Sequence, residues 1–67
     1  MLTSKESFDK LNCLVAKKGL SFYRLGQEIE IPSSFFSEWK RGKMMPKADK
    51  LKILAEYFGV PIEYFLE

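Results

Sequence analysis

The sequence has no histidine, a single cysteine and no long apolar run, and each shortage excludes something. Cys13 has no thiol to pair with inside the chain, so the fold stands on noncovalent packing alone. With no histidine beside that one thiol, an ordinary structural zinc site lacks its ligands, and neither a metal nor another cofactor is expected. A membrane span needs about 18 consecutive apolar residues, which are nowhere present, and the opening Met1-Leu2-Thr3-Ser4-Lys5-Glu6 is no signal peptide. No histidine base, glycine-rich phosphate loop or spaced carboxylate pair suggests catalysis, so no enzyme is expected. The reading is a soluble, cytoplasmic module.

What is present fits one small domain over residues 1–67, with 46% hydrophobic and 30% charged residues. Eleven Lys and Arg against nine Asp and Glu leave a net charge of +2, too little by itself to mark a nucleic-acid binder. Its distribution is more informative: +1 over residues 1–31, +2 over 32–46 and −1 over 47–67. The surplus sits mid-chain, although scattered solvated charges would give the same total.

Gly19, Pro32, Gly42, Pro46, Gly59 and Pro61 punctuate the chain into short pieces, and no strand-like alternation or hairpin turn appears. Thr3 and Glu6 have capping-box spacing, and Phe8, Leu11 and Val15, widened by Leu14, form the stripe of a first helix stopped at Gly19. Ser21 is a good N-cap for a second helix to about Glu28, with Leu25 and Ile29 one turn apart. Glu30-Ile31-Pro32 is a tight turn into a third helix from Pro32 or Ser33, whose buried edge is Phe36 and Trp39. Ala48, Leu51, Leu54, Ala55 and Phe58 define a fourth helix, and Pro61 restarts a short fifth with Ile62, Phe65 and Leu66. Five short helices with brief connections make an all-α fold.

Residues 21–42, two helices of about eight residues joined by a tight turn, form the informative unit. Helices this short survive only when clamped against neighbours. Gly26 lies inside the first of them and costs about 1 kcal/mol relative to alanine, so it needs a reason. A crossing helix is expected to approach there, with Phe36 covering the spot. Off the Phe36/Trp39 stripe, Ser33, Ser34, Ser37, Glu38 and Arg41 remain free.

Leu20-Ser21-Phe22-Tyr23-Arg24-Leu25-Gly26, then Ile29 through Lys43 with its Trp39-Lys40-Arg41-Gly42-Lys43 run, and Pro46, resemble the Cro and phage-repressor-like (XRE-type) helix-turn-helix family. The similarity continues through Leu51, Leu54-Ala55, Phe58-Gly59-Val60 and Leu66. It implies a compact five-helix, lambda-repressor-like DNA-binding domain with its motif core at Leu25, Gly26, Ile29, Ile31, Phe36 and Trp39. The third helix would enter the major groove. By the same resemblance, Ser33, Ser34, Ser37 and Glu38 fall where base-reading side chains belong; a solvated face that reads nothing is the competing explanation. Serine bonds to any base and glutamate accepts from the cytosine amino group. Ser21, Tyr23, Lys40, Arg41 and Lys43 would meet phosphates.

Three departures stand out from that pattern. Glu30 occupies a turn position usually held by glycine, and a left-handed glutamate there would be strained. Phe22 and Tyr23 replace a usual glutamine-glutamate pair, and Phe35 stands beside the reading face. Phe35 has three possible uses: packing inward, touching a thymine methyl, or joining a partner surface.

The expected function is operator binding by a bacterial or phage transcriptional regulator, a repressor working as a homodimer on double-stranded DNA. Tyr57, Ile62, Tyr64 and Phe65 are the expected dimer surface, since so many aromatics exceed what one short terminal helix needs. A missing C-terminal domain would be another source of dimerisation. The rival is a helix-turn-helix scaffold serving as a protein-interaction module of antitoxin or antirepressor type.

Overall fold

A computed structural model describes residues 2–67. Four α-helices, α1 (Ser4–Lys17), α2 (Phe22–Ile29), α3 (Ser33–Lys40) and α4 (Ala48–Phe58), are followed by a 3₁₀ turn, Ile62–Phe65. No strand occurs among the described residues. The fold is all-α, as the periodicity predicts. The fifth element is shorter than the expected helix: four residues after Pro61 close on i→i+3 bonds such as Tyr64 N–H to Pro61 O (3.0 Å).

Local chemistry explains the boundaries. At α1 the reciprocal capping box is complete: Glu6 N–H donates to Thr3 Oγ1 (3.2 Å) and Thr3 N–H to Glu6 Oε1 (3.0 Å). Those bonds hold the Glu6 carboxyl below the usual carboxylate range. Ser21 Oγ accepts the Arg24 N–H (3.1 Å) at the start of α2, and Pro32 precedes α3 as its N-cap. Gly59 ends α4 in the left-handed region, with Val60 N–H donating to Ala55 O (3.0 Å).

The core is built from α1's Phe8, Leu11 and Val15, α2's Leu25, α3's Phe36 and Trp39, α4's Leu51, Leu54 and Ala55, and Phe65. Trp39 is its centre, completely buried, with ring neighbours Phe8 (5.6 Å), Phe35 (6.3 Å) and Phe65 (6.4 Å). Its indole N–H and the buried Ser7 hydroxyl have no hydrogen-bond partner. Phe35 is half-buried and set edge-on to Phe36 and Trp39, so part of its ring packs inward.

Beyond the core, Leu2 N–H donates to Leu66 O (3.1 Å) and Lys10 Nζ to Glu67 O (3.3 Å), tying the last residues back to α1. Tyr57 O–H donates to Glu28 Oε2 (3.0 Å), which also lies 3.6 Å from Arg24 Nε, and so joins α4 to α2. Desolvation, then the bond to Glu28, pushes the Tyr57 phenol up from its ordinary value.

Glu30, the residue after α2, adopts φ 59°, ψ 43° and is the only non-glycine residue with positive φ among those described. A side chain in that region clashes with its own carbonyl, so Glu30→Gly should stabilise the fold by about 1 kcal/mol after glycine's greater unfolded-state entropy is deducted. In a domain this small that raises the thermal midpoint by roughly 4–8 °C. A melting curve that does not move would contradict the strain.

Candidate nucleic-acid interface

The geometry of the α2–α3 pair is set at Gly26. Its carbonyl oxygen accepts the N–H of Glu30 and of Ile31, the latter at 2.9 Å, so the turn folds back onto the helix end. A Cβ on Gly26 would collide with the Ile31 carbonyl oxygen, whereas Phe36 Cε2 would lie at an ordinary 3.6 Å. The sequence points to a close approach at this glycine but to the wrong neighbour. What comes closest is the backbone of the turn itself, and Phe36 lies beyond it. Leu25, Gly26, Ile31, Phe36 and Trp39 are buried around this junction, and Ile29 is half-buried.

Phe22, where the resemblance leads one to expect a polar side chain, is half-buried between helices. It stacks on Phe8 of α1 (5.2 Å, 19° between planes) and meets Phe36 of α3 at 5.5 Å. Tyr23 beside it is 68% exposed, and its hydroxyl accepts from Gln27 Nε2 (3.1 Å), which leaves the phenolic hydrogen free to donate outward.

With Phe36 and Trp39 buried, α3 leaves Ser33, Ser34, Ser37 and Glu38 exposed. Helical spacing splits the exposed side into two rows. Ser33, Ser37 and Lys40 form one row and line a groove of about 500 Å³ against α1. Ser34, Glu38 and Arg41 form the other. Beyond the helix, Arg41 N–H donates to Ser37 O (3.1 Å), Gly42 N–H to Trp39 O (2.9 Å) and Lys43 N–H to Glu38 O (3.0 Å). These bonds fix the backbone that carries the exposed Arg41 and Lys43 close to the end of α3.

One cation at this end of the molecule was not visible in the chain order. Lys5, in the first turn of α1, lies over Gly42: its Cε is 3.2 Å from where a Cβ on Gly42 would stand, and Ser4 Oγ is 3.5 Å away. Only the packing of α1 on α3 brings residues this far apart in sequence together.

The expected dimer residues are placed differently from the sequence reading. Phe65 is fully buried against Trp39, which removes it from any surface. Tyr64 is half-buried, edge-on to Phe65 (5.4 Å) and beneath Lys10 Nζ (4.9 Å). Tyr57 is half-buried beside Phe58 (5.0 Å), with Lys18 Nζ over its ring (5.3 Å), and Ile62 is half-buried. The surplus of terminal aromatics is therefore largely spent inside the monomer.

Cys13 is exposed, and among the described residues no group of three His, Cys, Asp or Glu side chains converges to hold a metal ion. Among them, too, no helix is long and apolar enough to cross a membrane. No curated protein and no solved structure matches the chain. A family model described as helix-turn-helix matches residues 14–65, most of the chain and all of α2, α3 and α4. With the tight α2–α3 turn and the half-solvated α3 that follow it, this match makes the chain a member of the Cro/C1-type, XRE-like helix-turn-helix family of DNA-binding regulators.

Proposed function

We propose that the chain is the sequence-specific DNA-binding domain of a prokaryotic or phage transcriptional regulator, a repressor that occupies its operator. The observation that carries this reading is α3 itself, which buries Phe36 and Trp39 yet exposes Ser33, Ser34, Ser37 and Glu38 and ends in Lys40, Arg41 and Lys43. In this reading α3 enters the major groove. The serines hydrogen-bond base edges and Glu38 accepts from a cytosine amino group. Arg41 and Lys43 neutralise phosphates, Lys40 adds charge on the groove side, and Ser21 and Tyr23 donate hydroxyl hydrogens to the backbone.

The operator is taken to hold two half-sites about 34 Å apart, one for each subunit of a homodimer. The contact surface in the dimer is Ile62 with the half-buried Tyr57 and Tyr64, without Phe65.

Affinity for DNA selected from a random pool, measured against salt, tests the reading. Binding should weaken steeply, with a log–log slope of roughly −0.9 per neutralised phosphate. Arg41→Ala should weaken binding to every sequence about equally, and Ser34→Ala should change preference at one base pair. If the pool yields no retained sequence, the protein-interaction module is the better reading. Identical behaviour of the two variants would remove the assignment of roles.

A further inference from the structure

Lys5 is oddly placed for a residue that only keeps the protein soluble. It sits in the first turn of α1, where the positive end of the helix dipole disfavours a cation. Among the described residues it forms no ion pair, although Asp9 follows one turn later on the same helix. Its stem lies along Gly42, the residue between Arg41 and Lys43 at the exit of α3, and it lines the same groove as Lys40.

The groove between α1 and α3 gives this placement a use. Lys5 and Asn12 stand on its α1 wall, Ser33, Ser37 and Lys40 on its α3 wall, and Phe22 contributes an apolar face. Cations therefore stand on both walls, with neutral hydrogen-bond donors between them. Asp9 is the one acid lining it. Ammonium groups flanking an aromatic surface suit a sugar–phosphate strand, in which anionic and apolar groups alternate.

We infer that this groove seats the backbone of the DNA strand beside the base pairs read by α3, with Lys5 and Asn12 on its phosphates. The inference rests on the DNA-binding reading and extends the interface to a helix outside the helix-turn-helix. Asp9 opposes the strand and limits its affinity.

The full chain and the DNA sequence it selects provide the test. Lys5→Gln should weaken binding to all sequences alike and reduce the salt slope by about 0.9, so that the loss of affinity between roughly 50 and 200 mM salt shrinks about threefold. Asp9→Asn should tighten binding, and Lys17→Gln, at the far end of α1, should change neither affinity nor slope. Circular dichroism melting of each variant separates binding from folding. An unchanged slope for Lys5→Gln, or a change confined to one base pair, would overturn the inference while leaving α3 as the reader. Failure of the unaltered chain to bind any DNA would remove both.

Discussion

Replacing Trp39 with alanine should leave most of the chain unfolded at 25 °C. Trp39 is fully buried where α1, α3 and the 3₁₀ turn meet, against Phe8, Phe35 and Phe65. Emptying a site of that size costs about 3–5 kcal/mol through lost transfer energy and the cavity left behind. A core this small rarely supplies more than about 3–5 kcal/mol in total, so the loss consumes the stability. Trp39→Phe should be far milder, because a ring remains to fill the cluster and the unpartnered indole N–H is removed. Circular dichroism during urea titration is the right measurement, since Trp39 is the only tryptophan and its fluorescence disappears with it. A cooperative transition for Trp39→Ala within a few tenths of a molar of the parent midpoint would show that the cluster repacks.

Gly26→Ala should destabilise the fold by about 2 kcal/mol, against the direction that helix propensity alone predicts. In a free helix alanine would gain about 1 kcal/mol over glycine. Here the added methyl meets the Ile31 carbonyl oxygen, a backbone atom that cannot swing aside as a side chain would. The Ile31 N–H bond to Gly26 O (2.9 Å) fixes the same segment from the other side. Relief therefore requires the turn to open, and α3 turns with it. On the DNA-binding reading, affinity should fall for every sequence, beyond what the unfolded fraction explains. Wild-type stability in Gly26→Ala would mean that the turn has slack, which the packing of Ile31 does not suggest. Because Glu30 lies in the same turn, the effects of Gly26→Ala and Glu30→Gly should not add.

How much of this was legible in the sequence follows from the range of each interaction. The Thr3/Glu6 capping box, the Ser21 cap and the stops at Gly19 and Gly59 are written within a few residues of each other, and the structure places them where the spacing does. The left-handed Glu30 was foreseeable only through the family resemblance, which usually has glycine at that turn position. Long-range relations were not. Nothing local says that Phe65 fills the space under Trp39, because a four-residue segment with three apolar side chains has no single face to read. Lys5 beside Gly42 depends on how α1 crosses α3, and no periodicity encodes that. Gly26 lies between the two cases: its cost signals a close neighbour, but the identity of that neighbour depends on how the turn folds.

The backbone hydrogen bond between Leu2 and Leu66 has a topological consequence. With its described ends in contact, the fold is nearly a closed ring, and the order in which the helices are strung is separable from the way they pack. The exposed residues around Lys43 and Met45 are the natural place to open that ring. A chain cut there and joined through a short link from Leu66 to Leu2 would begin with α4 and end with α3. The helix assigned to the major groove would then be the terminal element, free to be extended by new sequence without crossing the core.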